Sequence, residues 1–351
     1  MTIIDQESLK AAKRQGTYTY TVPMVIDKKE YPVDVRLING EMETYKLTKP
    51  IGELMTSASL EDKQDLLRKV TLDVQLGREQ VQTLYAPVYQ TLSDPNFPRV
   101  LQATWAMYGN VVFLEHLEGQ EVKFGSLSVE QGPIDTIQEY TAGFEYTKEL
   151  IDFNEMFRIE LINQAIGQAY NALLNHIHLY PIFSYNNYNT KNVTTWKGET
   201  GDPLWLGIYK TLRQAIIDAT LAKRQPTVLL ANPADRFDIE LALRGGFTIE
   251  GTTYPALSGI DTIIYYEGWQ GTMNGKPYVY KGVPQGEAYL IRPKQGFKEL
   301  VKKDLTIETT SGDLTRLVEA QIIAYAYRGV FAALDENVQK VKISASQASQ
   351  S

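Results

Sequence analysis

The residues of this chain best suited to chemistry are two carboxylate pairs and three histidines. Glu149 with Asp152, and Asp235 with Asp238, stand three apart, which places both acids of a pair on one helix face. Two carboxyls so placed could divide acid and base work at a scissile bond. The same spacing arises on any solvated helix face, and that is the reading adopted. His116, His176 and His178 are the whole histidine complement. His176 and His178 are two apart, not the four that sets two ligands side by side on a helix, so they read as structural residues at the end of a helix. There is no cysteine, which excludes disulfides and thiolate–zinc sites and suits a reducing cytoplasm. No phosphate loop, nucleophile elbow, His-Glu-x-x-His or calcium loop occurs. The expectation is therefore no catalytic residue, no cofactor-binding residue, no metal ligand, and no enzyme.

Tyrosine is twice as frequent as phenylalanine, 22 against 11. Such rings stack on sugars or bases, and more often line partly wet protein interfaces. Tyr18, Tyr20, Tyr85, Tyr89, Tyr140 and Tyr146 fall in extended segments, which favours the interface reading.

The element that must position these groups is one long helix. Residues 148–175 contain no proline and a single glycine, Gly167. Ile159, Ile162, Ile166, Tyr170 and Leu173 recur at steps of three and four and predict one apolar face. Glu149, Asn154, Glu155, Arg158, Glu160 and Gln168 form the other. At ~1.5 Å per residue the rod would span about 40 Å. An extended segment, Ile134–Tyr146, leads into it.

Around the rod, residues 1–16 read as a short helix and 17–48 as strands, with Asn39-Gly40 as a hairpin turn. Residues 59–85 read as a helix capped by Ser59, with Glu61 and Asp62 at its positive end and Leu66, Leu67, Val70, Val74 and Leu76 inward. Tyr85–Pro98, with three prolines, reads as extended surface chain. Residues 111–147 read as a hairpin arm with strands Val111–Leu114 and Val122–Phe124 and bends at Gly119, Gly125 and Gly132-Pro133. An isolated two-stranded arm is marginal alone and needs a neighbour.

Residues 184–201 read as a polar loop. Then Asp202-Pro203 and Asn232-Pro233 each open a helix, with the strand Thr227–Ala231 between them and Gly245-Gly246 as the second stop. Asp261–Tyr266 and Glu287–Ile291 read as strands, with residues 268–286 a surface loop. Leu305–Thr310 and Leu314–Tyr327 read as a strand pair around Ser311-Gly312-Asp313. Val318, Ala320, Ile322, Ala324 and Ala326 make a small apolar face on which the long helix should lie. Residues 344–351 read as a disordered tail.

A chain of 351 residues can bury a large core in two or three lobes. The net charge of −7 disfavours a dedicated nucleic-acid binder and suits a wall that repels it. Neither a signal peptide nor a membrane span is expected.

The order of parts resembles the major capsid proteins of tailed bacteriophages, the Hong Kong 97-type fold. The resemblance covers residues 85–343. It is carried by Tyr146–Glu155 running into Ile159–Ile166, by Val228–Asp235, by Ala288–Pro293, and by Ala326–Val330 followed by Asn337–Val341. It implies an α+β fold in these parts: an N-terminal region with extra hairpin and helix (1–110), an E-loop hairpin (111–147), a spine helix with part of a peripheral domain (148–200), an axial domain (201–295), peripheral strands (296–336), and a C-terminal strand and tail (337–351). The function it implies is self-assembly into hexamers and pentamers of an icosahedral shell around packaged double-stranded DNA. Partners would be copies of itself, with scaffold, portal and decoration proteins, DNA on the inner face, and no membrane. The place would be the virion, assembled in the host bacterial cytoplasm. Some members cross-link a hairpin-arm lysine to a peripheral asparagine; Lys123 and Asn337 have matching places, but nothing pairs them and no cross-link is expected. Residues 1–84 read as either an added decoration-like element or a removable scaffold. The alternatives are an encapsulin-type compartment and, behind it, a carbohydrate-acting enzyme.

Overall fold

The computed structural model describes residues 17–26, 29–38, 41–42, 47, 49–50, 53–54, 57, 59–110, 126–149, 156–249, 251–273, 276–311 and 318–344. The expected helix over 1–16, the turns at Asn39-Gly40 and Gly312-Asp313, the strands Val111–Leu114 and Val122–Phe124, the residues His116, Lys123 and Asp152, and the tail beyond Ser344 lie outside them.

Two sheets organise the chain. In the first, β16 (Phe297–Ser311) and β17 (Val318–Ala332) form a long antiparallel pair. Leu305 and Ile307 on β16 and Ile322, Ala324 and Ala326 on β17 are buried, the period-two inward face of a half-covered sheet. β7 (Gln138–Thr147) pairs with β17. The far edge of β16 is shared: β4 (Gln90–Ser93) runs parallel to Lys298–Val301, and β1 (Thr17–Ile26) pairs at Ile307 and Glu308. β1 continues into a hairpin with β2 (Lys29–Ile38), and β2 pairs with β3 (Glu41–Met42).

Two helices lie against this sheet. α1 (Leu60–Gln80) is followed, after the hairpin of β5 (Val100–Asn110) and β6 (Ser126–Thr136), by α2 (Met156–Ser184). Ile159, Tyr170 and Leu174 of α2 share a core with Ile322, Ala324 and Ala326, so the small face of β17 receives the long helix as expected. α2 runs past Asn175 and through Pro181. A proline there loses one bond near the helix end, while buried Leu179, Ile182 and Phe183 hold the last turn down.

The second sheet has the order β12-β9-β15-β18-β8, from β8 (Val193–Thr194), β9 (Val228–Ala231), β12 (Thr262–Tyr265), β15 (Glu287–Ile291) and β18 (Val338–Lys342). β9 is buried throughout and β15 nearly so, which is why both read as continuous apolar runs. α3 (Leu204–Leu221) and α4 (Arg236–Arg244) cover one face through Ile208, Leu212, Ile239 and Ala242. The other face, with Val228, Leu230, Tyr289 and Ile291, joins the core of α2. β18 returns the chain to this sheet, beside β15.

Several expectations change. The described arm starts at Val100 rather than 111, and residues 138–147 belong to the first sheet. Residues 268–286 hold a hairpin, β13 (Gly268–Met273) with β14 (Lys276–Lys281), not a loop; its pairing is local and needs no apolar pattern. A second small hairpin joins β10 (Phe247–Ile249) to β11 (Thr252–Tyr254). The proline-rich Tyr85–Pro98 is not surface chain at its start, since Tyr85, Val88 and Tyr89 are buried. Ser59 stands at the N-cap of α1, but its side chain makes no cap bond; its amide donates to Ser57 Oγ at 3.1 Å.

Candidate functional site

The expected apolar face of α2 is rotated. Ile162, Ile166 and Leu173 are half-buried, whereas Asn163, Gly167, Asn171 and Asn175 are buried. These four recur every fourth residue, so they form one stripe. The stripe faces α1, whose Gly77 meets it. A Cβ added to Gly77 would lie 2.0 Å from the Gln164 carbonyl oxygen, and one on Gly167 would lie 1.9 Å from that of Val74. With backbones this close, the asparagines serve polar groups of the partner element. Asn171 Nδ2 donates to the Arg78 and Val81 carbonyls at 2.6 and 2.9 Å. Asn175 Nδ2 donates to the Gln82 carbonyl at 2.9 Å, and its Oδ1 accepts from the Leu84 amide at 2.7 Å. The end of α1, which has unpaired carbonyls like every helix end, is thus satisfied by α2.

At the start of the stripe, Lys69 and Asp73 of α1 pair at 2.9 Å, and Lys69 also reaches Glu160 at 2.6 Å. Asn163 donates to Asp73 Oδ2 at 3.3 Å and accepts from the buried Tyr146 hydroxyl at 3.1 Å. Burial pushes the Asp73 carboxyl above the usual range, more than Lys69 and Asn163 pull it back.

A second polar cluster joins α2 to β16, β17 and β4. Arg328 donates to Glu299, to Asp304 at 2.5 Å, and through Nε to the Tyr170 hydroxyl at 2.8 Å. Thr91 donates to Glu299 Oε2 at 2.8 Å and Tyr85 to Oε1 at 3.3 Å. His178, fully buried, has Nδ1 2.6 Å from the Leu174 carbonyl and so donates there; its Nε2 lies 3.3 Å from Glu299 Oε1, and its ring stacks on Tyr85 at 3.7 Å. Burial alone would raise the Glu299 carboxyl. Arg328, then His178, reverse this and hold it well below the usual range. Burial would raise the Asp304 carboxyl too, and the neighbouring Arg328 guanidinium is the chief reason it is lowered instead. A pair like this must be nearly fully hydrogen-bonded to be tolerated, and it is.

Of the two acid pairs weighed from spacing, Asp152 lies outside the described residues. Glu149 is exposed. Asp235 accepts from the Gly286 amide at 2.8 Å, holding the turn before β15, and burial raises its carboxyl. His176 stacks on Tyr280 at 4.4 Å. The interface reading of tyrosine fails at Tyr85, Tyr89 and Tyr146, all of which are buried within the chain. Asn337 is buried and donates to the Ala333 carbonyl at 3.0 Å. Arg328 was legible as the next member of the inward series Ile322, Ala324, Ala326. The spacing of four in Asn163, Gly167, Asn171 and Asn175 was a second signal.

Among the described residues no group of three or more His, Cys, Asp or Glu could hold a metal ion, and no helix is long and apolar enough to cross a membrane. What the described parts define is an α+β chain in which one long helix, braced by a second, spans two sheets, with three two-stranded hairpins outside them. No family model and no curated protein sequence matches the chain. Solved structures match it in fold. The mature capsid of bacteriophage PhiM1 aligns with a TM-score of 0.51 and 13% identity, over 74% of this chain and 87% of that one. A virus-like particle from Pyrococcus furiosus aligns at 0.48 and 11%, over 76% and 95%, and the SrpI encapsulin of Synechococcus elongatus at 0.43 and 12%, over 73% and 85%. The chain has the Hong Kong 97-type capsid fold.

Proposed function

We propose that this chain is a structural shell subunit of a tailed phage, assembling as hexamers and pentamers of an icosahedral head around packaged double-stranded DNA. The observation that carries the reading is the shared fold with the PhiM1 mature capsid. In this reading the β5–β6 hairpin is the E-loop, α2 the spine, the first sheet the peripheral domain and the second sheet with α3 and α4 the axial domain. The β1–β3 hairpin and α1 are the added N-terminal region. Shell building asks for no turnover, and the polar clusters then serve rigidity. A net charge of −7 keeps an inner wall from gripping DNA through counterion release. Scaffold, portal and decoration proteins are the remaining partners, and assembly takes place in the bacterial cytoplasm.

Electron microscopy of the recombinant protein tests this. Closed shells, tubes or flat hexagonal sheets are expected. Small soluble species under all assembly conditions would overturn it. The content of particles purified from the native source separates a DNA-filled head from a compartment loaded with protein.

A further inference from the structure

We infer that residues 59–94, which hold α1 and the strap from Val81 through β4, are a permanent brace of the folded body, so that residues 59–84 are an added element and not a removable scaffold. Any processing of this chain then ends before Ser59. The inference goes beyond the shell reading and stands without it.

A segment that is to be removed must leave behind a surface that water accepts, because a large bared apolar patch is an aggregation liability. The α1–α2 crossing taken alone meets that condition. Asn163, Asn171 and Asn175, with Gln164 and Gln168, bond to α1 and to the chain just after it, and water can replace each of those bonds. The rest of the segment does not meet it. Leu67, Val70 and Val74 of α1 share one core with Tyr146, Ile159 and Tyr170 of the body. Tyr85, Val88 and Tyr89 of the strap continue that core and are buried. The Tyr85 ring lies on His178, and the Tyr89 ring meets Phe297 edge-on at 5.2 Å. Withdrawing the segment would open the core at all these positions and bare Tyr146, Ile159 and Phe297 together. It would also take from the buried Glu299 carboxylate two of its hydrogen-bond donors, the hydroxyls of Thr91 and Tyr85.

The backbone of the strap carries a second, independent argument. The Val88 carbonyl accepts from the Lys294 amide at 2.7 Å. Lys294 lies in the turn that leads from β15 to β16, and so from the second sheet to the first. Its φ is 66°, in the left-handed region that a residue with a side chain seldom enters. Such a conformation persists only where its surroundings hold it, and Val88 belongs to those surroundings. Beyond it, β4 pairs along Lys298–Val301, and the Asp94 amide donates to the Val301 carbonyl at 3.2 Å. The strap is thus bonded to α2, to the turn between the sheets and to the edge of β16. A temporary guest would not be part of what holds its host's own turn in a strained conformation.

An internal cut in the full-length chain tests the inference. A protease recognition sequence inserted between Asn96 and Phe97, in the turn that follows β4, frees the brace covalently from everything after it. The N-terminal piece is expected to stay with the remainder through gel filtration in native buffer. It should part from it in urea only at the midpoint at which the remainder itself unfolds. A remainder that loses its near-ultraviolet circular dichroism as the piece departs supports the inference equally. Recovery of a folded remainder free of the N-terminal piece would overturn it. Hydrogen exchange on the unmodified chain covers the case in which the insertion itself disturbs folding. The amides of α1 and of Val88 should be protected to the same degree as those of α2. Exchange of α1 as fast as that of the β13–β14 hairpin, with α2 still protected, would also overturn it. Neither readout needs shells, so failure to assemble would leave both results unaffected.

Discussion

Gly77 of α1 and Gly167 of α2 face each other across the helix crossing, each backbone occupying the space a partner's Cβ would need. The crossing sets the distance at which Asn163 and Asn171 reach α1 and Asn175 reaches the chain that follows it.

Gly167→Ala should therefore destabilise the protein, even though alanine favours a helix by up to about 1 kcal/mol. The added methyl would lie 1.9 Å from the Val74 carbonyl oxygen, which is backbone and cannot swing away. Overpacking of this sort costs roughly 1–3 kcal/mol. Urea unfolding should show the lower midpoint, with Gly77→Ala behaving alike.

Arg328→Met leaves Glu299 buried without its main counter-charge. Removing one partner of such a pair costs about 3–5 kcal/mol. Adding Glu299→Leu should recover a large part of the loss, so a double-mutant cycle on denaturant midpoints will be strongly non-additive. Arg328→Lys should also fall short, because an ammonium cannot serve Glu299, Asp304 and Tyr170 from one planar fork.

Acid should weaken the fold through the same cluster. The Glu299 and Asp304 carboxyls are depressed in the folded protein. Their contribution is complete above the ordinary carboxylate range and is lost as pH falls through the folded values. Asp73 is shifted upward and acts in the opposite sense, its contribution fading as pH rises through its folded value. Unfolding midpoints followed from neutral to acidic pH should fall. In Glu299→Gln the fall should be shallower; an equally steep fall would remove Glu299 from the explanation.

Asn175→Ala removes the acceptor of the Leu84 amide and the donor to the Gln82 carbonyl. Both bonds are part-buried, so each group left unpaired costs about 1 kcal/mol, the low end of the range for buried groups. The loss is local, so hydrogen exchange at the Leu84 amide should accelerate more than exchange in β9.

Elements with one strong period were legible in advance. Val228–Ala231 and Ala288–Ile291 are unbroken apolar runs, and Ile322, Ala324 and Ala326 announced a face that accepts a helix. The long helix was visible from the absence of proline over residues 148–175, but its continuation through Pro181 to Ser184 was not. The hairpin at Gly268–Lys281 was missed, since its ladder is made of backbone bonds that polar residues provide as well as apolar ones.

The polar clusters were not legible for a different reason. Lys69, Asp73 and Glu299 look like any surface charge when neighbours in sequence are all that can be seen, and Arg328, although it continues the inward series, does not name its partners. Glu299 and Arg328 meet because β16 and β17 turn back on each other, and Asp73 meets Asn163, 90 positions further along, because two glycines let the helices touch.

By itself the amino-acid order determined the helices and strands with a strong apolar pattern and the net charge of the chain, because periodicity and composition are local. Which face of α2 is inside was decided only by the tertiary structure. Hydrophobicity pointed to Ile162, Ile166 and Leu173, but the closeness of the α1 crossing favours small and hydrogen-bonding side chains there, and that closeness is a property of two distant segments together.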